Sequence, residues 1–553
     1  MASNITLVKA DLVKKEDYLP NQSVNVVVLY EFTVSVPLAR IHLEWNGTQH
    51  EVIAGVRKLL PKDFLIGENV KALFSPGSQS QDRNDLKPVS IVGNDLPGAG
   101  FSSLSEEKSR GSHYFMMDEI SQVLHNRGHE VRMLLQTGVL MIPGRKYEQP
   151  NTYQITAWSA SQDYLKEYEK WFADYTEDFL KGRYYFIIIV MHNFLRSLNC
   201  LEKILNSLKD EKFDITVMDG CNPCSFLVAE KLGLPFVVVF PGTFANGPQV
   251  GFPSPLSYVP VFYSNLADHM DFWGRVKNCL MSLVSAIVQY QVQTKFENII
   301  KEHFPAGSRP VLSELYLKAE LWIYNTDFSF EFAHPLLPNT VYIGGLLAKP
   351  AKPLSQELED FIANSEDGFI IVTLGSMLSS IPLLEVLQEI NTAFAHLSQG
   401  VIWRCQHSKW PKELKLASNV KIADWIPQND LLDKEHRHPM AHQHDNMVRV
   451  EAKNMGITLR IDQLKADKFT RTMKQVIEDK RYKSAVMSLS TIHHSHQLPP
   501  DQRLGRWLEH VLQARGGAHL QPYAFQQSWF QQYLLDVLLF LSGSVLGGHL
   551  PLC

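Results

Sequence analysis

Short apolar segments that alternate with helical segments constrain the fold of this 553-residue chain more than any other feature. The segment 212–219 predicts a buried strand that ends in a carboxylate, and a helix over 223–232 and a strand over 235–240 follow it. A strand, a helix and a strand in this order predict a parallel βαβ unit. The alternation restarts after the rigid, proline-rich joint KPAKP at 349–353. The chain is therefore predicted to be an α/β protein with two Rossmann-like domains and a cleft between them.

Two titratable residues of the first domain are candidates for a catalytic pair. Asp219 ends the strand at 212–219, and the carboxyl ends of parallel strands are where α/β folds place functional groups. His113 follows a Gly-Ser pair at the start of a predicted helix. A carboxylate bonded to the distal nitrogen of a histidine fixes its tautomer and stabilises its imidazolium form. The alternatives are a polar histidine beside a helix N-cap, and an aspartate that starts the next turn or caps the helix at 223–232.

Strand ends in the second domain carry candidates for nucleotide binding. Trp425 and Gln428 follow the apolar segment 420–423, and an aromatic face beside an amide suits a flat heterocycle such as uracil. A Gly-Ser turn closes the strand at 369–374 and offers N–H groups and a hydroxyl to a phosphate. The candidate donor-binding residues are Gly375, Ser376, Arg404, Trp425 and Gln428.

Composition excludes several function classes. The chain is 45% hydrophobic and 20% charged, with a net charge of −5, which gives no reason to expect a nucleic-acid partner. Its six cysteines are too few for a disulfide scaffold, and Cys221 and Cys224 lack a second CxxC pair, which favours two part-buried thiols over a zinc or redox site. No metal site is expected. The histidines within 436–444 lack a cysteine or a suitably spaced carboxylate, and those within 493–496 indicate a helix end.

The two ends of the chain differ from the middle. Residues 1–110 contain strand-like alternation and a hairpin signal at Asn46-Gly47, and 75–110 indicates a linker or disorder, so no function is assigned to this region. The first residues lack the apolar core of a signal peptide. The apolar segment 533–548 is interrupted by Asp536 and is shorter than the about 20 residues of a spanning helix. It indicates a shortened membrane anchor or an amphipathic helix docked on the protein.

Longer motifs from Gly111 onward carry a family resemblance. They are GSHY at 111–114, FDITVMD at 213–219, SYVPV at 257–261, GGL at 344–346, TLGSM at 373–377, VIWR at 401–404, DWIPQNDLL at 424–432 and NMVRVEAK at 446–453. With them the chain resembles the UDP-glycosyltransferases of the animal glucuronosyltransferase superfamily. It is most similar to the third family, which favours UDP-N-acetylglucosamine or UDP-glucose as donor.

The resemblance implies a GT-B fold and a domain plan. It assigns 111–347 to an acceptor-binding domain, 348–515 to a UDP-sugar-binding domain and 516–553 to a tail that resembles a shortened anchor, leaving 1–110 unassigned. It also implies a place at the endoplasmic reticulum membrane, lipophilic acceptors and association with other family members.

The resemblance further implies an inverting transfer without a catalytic metal or any cofactor beyond the UDP-sugar co-substrate. His113 would deprotonate the acceptor hydroxyl with Asp219 as its partner. Trp425 and Gln428 would hold uracil and ribose, and Gly375, Ser376 and Arg404 would help to place the donor.

Two departures from the family pattern affect the expected activity. A histidine-rich bridge at 433–445 replaces the family's His-Gly-Gly-x-x-Ser turn and the Asp-Gln pair that follows it, which predicts impaired transfer and a gap in the second sheet. The polar segment 102–110 stands where the family's first strand is expected. The alternatives are a catalytically inactive protein that binds acceptors or partners, and a chain that folds poorly.

Overall fold

In the computed structural model the chain divides into two compact units, Met1–Asp85 and Leu86–Cys553. Side chains are described for residues 113–135, 152–156, 208, 211–221, 223–242, 251–294, 296–374, 381, 383–432, 446–460, 464–528 and 530–543. Further strands and helix ends are described by their backbone alone.

The first unit contains a five-stranded sheet. Its strands are β1 (Leu7–Lys9), β2 (Tyr18–Val28), β3 (Phe32–Trp45), β4 (Thr48–Arg57) and β5 (Phe64–Leu65), in the order β2-β3-β4-β1-β5. Strands β3 and β4 pair antiparallel with Trp45 opposite Thr48, as the predicted hairpin requires.

The first half of the second unit contains a seven-stranded parallel sheet. The strands of this half are β6 (Pro88–Gly93), β7 (Lys108–Ser109), β8 (Glu130–Thr137), β9 (Ile142–Pro143), β10 (Gln154–Ser159), β11 (Ile215–Asp219), β12 (Phe236–Phe240), β13 (Leu321–Tyr324) and β14 (Thr340–Tyr342). The order in the sheet is β10-β8-β6-β11-β12-β13-β14. Strand β12 is buried at all five positions, as expected of a parallel strand that is covered on both faces. The helices of this half are α1 (Ser112–Asn126), α2 (Pro223–Leu232), α3 (Phe272–His303) and α4 (Leu312–Leu317).

The prediction of a linker or disorder over 75–110 is wrong at strand β6, which lies within that segment. This strand lies between β8 and β11 and pairs with both, so the first strand that the polar segment 102–110 was expected to replace is present further upstream. Its few apolar residues, Val89, Ile91 and Val92, lie within a polar stretch, which hides the strand from a search for long apolar runs. Along the chain, the division between the two compact units falls between Asp85 and Leu86.

Helices cover both faces of this sheet. Helices α2, α3 and α4 pack on one face around the fully buried Phe226, Phe296 and Trp322. Helix α1 packs on the other face through Met117, and α11 (Pro500–Ala514) lies in the same cluster through Leu504, Leu508 and Val511. The first sheet is therefore completed by a helix from near the C-terminus.

The second half contains a four-stranded parallel sheet of β15 (Phe369–Val372), β16 (Gly400–Arg404), β17 (Val420–Ala423) and β18 (Arg437–Met440). The order in the sheet is β17-β16-β15-β18. The helices that precede α11 are α5 (Gln356–Ala363), α6 (Leu384–Ala395), α7 (Gln428–Leu431), α8 (His444–Ala452), α9 (Ala466–Glu478) and α10 (Lys480–His494). After α11 come α12 (Trp529–Gln532) and α13 (Leu535–Leu546), and short 3-10 turns lie at His407–Lys409, Ala518–Leu520 and Tyr523–Gln526.

Strand β18 lies within the histidine-rich bridge at 433–445. The predicted gap in this sheet is therefore wrong at the position beside β15. The strand pairs in parallel with β15, and Pro439 lies opposite Ile371. Proline is tolerated in a strand at the edge of a sheet, where its missing N–H removes no ladder bond on the outer side. The bridge thus supplies the edge strand beside β15. The rest of the bridge, 433–436 and 441–443, lies outside the described residues.

Many apolar side chains of α13 are exposed, including Leu539 at 74% and Phe540 at 67%. In the part of the chain that the structure describes, no helix combines the length and the apolar content needed to cross a membrane.

Replacing Gly344 by alanine is expected to destabilise the second unit by about 1–3 kcal/mol, because the added methyl group overpacks a close backbone contact. A Cβ atom at Gly344 would lie 2.6 Å from the carbonyl carbon and oxygen of Thr326, and the Gly344 N–H donates to that same oxygen at 2.8 Å. The melting temperature measures the effect. Gly543→Ala is the matched control, since nothing lies within 4 Å of its added Cβ. An unchanged melting temperature in Gly344→Ala would contradict this packing.

Candidate functional site

His113 and Asp219 are brought together at the carboxyl edge of the first sheet. His113 lies in the first turn of α1, and Asp219 is the last residue of β11. The His113 Nδ1 atom lies 2.6 Å from Asp219 Oδ2. Asp219 is almost fully buried at 1% exposure, whereas the His113 side chain keeps 15% of its surface exposed. The two predicted catalytic residues therefore form a direct hydrogen bond across 106 residues of sequence.

The second oxygen of Asp219 fixes the orientation of the carboxylate. Asp219 Oδ1 accepts a hydrogen bond from the backbone N–H of Cys221 at 2.9 Å, so Asp219 also braces the turn after β11, as the alternative interpretation proposed. A carboxylate held in this way favours the tautomer with the proton on His113 Nδ1 and leaves Nε2 as the basic nitrogen. The arrangement is thus capable of general-base chemistry.

Aromatic and cationic groups of the second sheet lie beside the same helix. The Trp425 ring contacts Phe115 of α1, with ring centroids 6.1 Å apart and ring planes at 53°. Arg404, the last residue of β16, places its guanidinium carbon 5.6 Å from the centre of the Trp425 ring. Arg404 is 4% exposed, and this burial lowers its pKa from the ordinary value. Because Phe115 lies two residues after His113, the candidate groups of the two sheets meet at α1.

The structure describes one of the three remaining residues that were predicted to bind the donor. Gln428 is exposed at the start of α7, just after Pro427. Gly375 and Ser376 lie outside the described residues.

Asn429 and Asp430, which were not predicted to be functional, bind α7 to the proline-rich joint at 349–353. Asn429 Oδ1 accepts from the backbone N–H of Lys349 at 3.0 Å, and Asn429 Nδ2 donates to the Lys349 carbonyl at 2.9 Å. Asp430 Oδ1 accepts from the backbone N–H of Lys352 at 3.0 Å, and this bond and one from Asn429 lower the pKa of Asp430. Their one sequence signal is their place in the motif at 424–432. The loop that carries Trp425 is thereby fixed to the joint between the two sheets.

Two of the ion pairs among the described residues also join the half of the second unit that carries the seven-stranded sheet to the half that follows it. Lys349 Nζ lies 2.5 Å from Glu119 Oε1 of α1. Arg449 Nε of α8 lies 2.9 Å from Glu331 Oε2, and Glu331 is 6% exposed. The second pair is the more strongly shielded from water, so we expect it to contribute more to the relative position of the two sheets.

Thiol labelling is expected to single out Cys279 among the four described cysteines. Burial raises the pKa of Cys224 to about 12 and that of Cys405 to about 11, and burial beside Asp219 raises the pKa of Cys221 well above its ordinary value. The thiolate is the reactive form, so at pH 8 a thiol of pKa about 11 is ionised in only about one molecule in a thousand. Cys279 is exposed on α3.

Brief treatment with iodoacetamide at pH 8, followed by peptide mass spectrometry, should therefore modify Cys279 first. The same treatment in urea should modify all four thiols. Equal labelling of Cys405 and Cys279 in the folded protein would refute the predicted order.

Comparison with known proteins places these features in a family. The model of the UDP-glucoronosyl and UDP-glucosyl transferase family matches residues 107–442 and 436–548. The two matched segments meet within the bridge at 433–445.

Curated relatives match over most of the chain. UDP-glucuronosyltransferase 3A1 of Homo sapiens is 51% identical over 468 residues, which cover 79% of this chain and 89% of the relative. UDP-glucuronosyltransferase 3A2 of Homo sapiens is 48% identical over 492 residues, covering 83% and 94%. UDP-glucuronosyltransferase 3A1 of Bos taurus is 48% identical over 487 residues, covering 82% and 93%. The family model and these relatives show that the chain, with its two parallel sheets in an α/β arrangement, belongs to the UDP-glucoronosyl and UDP-glucosyl transferase family.

Proposed function

We propose that this protein transfers a sugar from a UDP-sugar to a hydroxyl group of a lipophilic small-molecule acceptor, with inversion at the anomeric carbon. The observation that carries the proposal is the 2.6 Å hydrogen bond between His113 and the buried Asp219. A histidine–carboxylate pair is the machinery needed to remove a proton from a weakly acidic hydroxyl.

The proposed reaction is a single displacement. His113 Nε2 takes the acceptor proton as the acceptor oxygen forms a bond to the anomeric carbon. The bond from that carbon to the UDP oxygen breaks, and UDP leaves with the electron pair. Asp219 stabilises the imidazolium that forms on His113. In this proposal no metal ion or further cofactor takes part, and UDP-sugar is the co-substrate.

The donor is proposed to bind along the edge of the second sheet. Trp425 offers an aromatic face to uracil, and its neighbour Arg404 supplies a positive charge beside that face. The amide of Gln428, which is exposed, is proposed to hydrogen-bond the ribose. Gly375 and Ser376 are assigned to the diphosphate by their motif alone.

The bridge at 433–445 is proposed to impair this activity. It replaces the turn that would present N–H groups to the diphosphate, and losing one preorganised donor of this kind costs about 2.7–4 kcal/mol, or about 10²- to 10³-fold in rate. The same replacement supports the second candidate function, a catalytically inactive protein that binds acceptors or partners.

The domain plan and the cellular setting are also proposals. The first sheet, with α1, is assigned to the acceptor and the second sheet to the donor, with the joint at 349–353 between them. The exposed apolar side chains of α13 support association with the endoplasmic reticulum membrane. Association with other family members is proposed from the family alone.

Transfer of radiolabelled sugar from UDP-N-acetylglucosamine or UDP-glucose to a phenolic or steroid acceptor tests the function. Turnover by the full chain that disappears in His113→Ala supports the enzyme. Failure of the folded protein to bind UDP in calorimetry overturns it. UDP binding without turnover favours the second candidate. A cooperative thermal transition in circular dichroism establishes that the tested protein is folded.

A further inference from the structure

A histidine–aspartate–histidine cluster lies at the carboxyl edge of the first sheet, beyond the proposed catalytic pair. Asp327 follows β13 and accepts contacts from two imidazoles on the same oxygen, Oδ2. The His496 Nε2 atom lies at 2.6 Å and the His493 Nδ1 atom at 3.2 Å from that oxygen. The three ligand atoms all lie within 4.8 Å of one another.

The surrounding structure presents these three side chains to a common point. The backbone N–H of Ser329 donates to Asp327 Oδ1 at 2.8 Å, which turns Oδ2 toward the imidazoles. His493 lies in the last turn of α10, and His496 follows the C-cap residue Ser495. The i, i+3 spacing at a helix end brings both rings to one side of the chain.

The cluster combines a buried anion with accessible imidazoles. Asp327 is 7% exposed, and the two histidines are 28% and 30% exposed. Burial by itself would raise the pKa of Asp327, but the hydrogen bonds from Ser329 and His496 outweigh burial and bring it to about 2. The cluster therefore offers one carboxylate oxygen and two imidazole nitrogens, which are ligand types that zinc takes, and solvent can reach the two rings.

We propose that Asp327, His493 and His496 bind one zinc ion, through Asp327 Oδ2, His493 Nδ1 and His496 Nε2. Two imidazoles and a carboxylate are a common zinc ligand set, with water as the fourth ligand. Zinc bonds of about 2.0 Å in a tetrahedron place neighbouring ligand atoms about 3.3 Å apart. The 3.2 Å separation fits that geometry, and the 2.6 Å hydrogen bond needs to open by about 0.7 Å as zinc replaces its proton.

Two neighbouring residues shape the site. Gly345 leaves room for the His493 ring, since a Cβ atom there would lie 2.9 Å from His493 Nε2, and its φ of +87° also favours glycine. Arg503 is the nearby cation, and its guanidinium is held by the carbonyl oxygens of Tyr342 at 2.6 Å and Leu498 at 3.0 Å. These two bonds hold the guanidinium on backbone acceptors.

The consequence of zinc binding is structural and goes beyond the proposed transfer reaction. His493 and His496 lie where the chain passes from α10 to α11, and α11 packs on the first sheet. Zinc would fasten this connection to the turn after β13. The bound ion would stabilise the attachment of the C-terminal helices to the first sheet.

The test compares His493→Gln with His494→Gln in the full chain, purified without a polyhistidine tag. Glutamine at 493 keeps a hydrogen-bond donor for Asp327 but is a poor zinc ligand. His494 is a matched control, because it is exposed on the same turn and its Nδ1 bonds back to the Ser490 carbonyl at 2.8 Å. Zinc stoichiometry is measured by calorimetry and by elemental analysis after gel filtration.

We expect the wild-type chain and His494→Gln to bind one more zinc equivalent than His493→Gln, and zinc to raise the melting temperature more in those two proteins. Cobalt substitution should add the visible absorption of a tetrahedral site that His493→Gln lacks. The difference between variants isolates this site from other groups, such as His113, Asp219 and Cys221, which are the same in all three proteins. Equal stoichiometry and equal stabilisation in both variants would overturn the proposal, whether or not sugar transfer is observed.

Discussion

Replacing His113 by alanine is expected to reduce the rate of sugar transfer by about 10²- to 10⁴-fold, the usual contribution of a general base. The substitution removes the nitrogen that accepts the acceptor proton and leaves Asp219 buried at 1% exposure without its imidazole partner. The quantity to measure is kcat/KM for a phenolic acceptor at saturating donor. Because the donor contacts lie on the second sheet, the affinity for UDP should remain unchanged.

The control for this prediction is His125→Gln, which alters a second histidine of α1 near its other end. Asp219→Asn should also impair transfer, and the double variant should be little worse than His113→Ala, since residues that act as a unit are not additive. Full turnover in His113→Ala would exclude His113 as the base.

The second large effect is expected at the donor site. Trp425→Ala should weaken UDP binding by about 1–3 kcal/mol, or roughly 5- to 150-fold, which is the usual value of stacking one base on an aromatic side chain. The change also removes the ring that contacts both Phe115 and Arg404. Calorimetry with UDP measures the loss directly and does not depend on turnover.

Trp425→Phe keeps an aromatic face and should restore most of the affinity, which separates stacking from a general loss of packing. His113→Ala should bind UDP as tightly as the wild-type chain. Equal UDP affinity in Trp425→Ala and the wild-type protein would show that uracil does not bind on this ring.

Where local pattern and topology coincide, the sequence indicated which strand ends carry candidate residues. Asp219 and Arg404 each end an apolar run, and the carboxyl ends of parallel strands share one edge of a sheet, so their functional side chains could be anticipated. The contact of His113 with Asp219 depends in addition on α1 packing against β6, the strand that pairs with β11. The motif at 424–432 likewise indicated the loop that carries Trp425.

Elements that depend on tertiary pairing were missed. Strand β18 has the sequence RHPM, which has neither the alternation nor the branched residues of a strand, and it exists because β15 offers an open edge for pairing. Strand β6 is short and lies within a polar stretch. The roles of Asn429 and Asp430 depend on the backbone of residues 80 and 78 positions away, which no local pattern reveals.

Helix α11 has a consequence for the order in which the protein is made. Leu504, Leu508 and Val511 share one hydrophobic cluster with α1 and with strands of the first sheet. During synthesis, α1 can cover its part of that face early, but the part that α11 covers stays exposed until residues 500–514 have left the ribosome. The nascent first half therefore exposes apolar surface while the whole second half is translated, and we expect it to need chaperones during that interval.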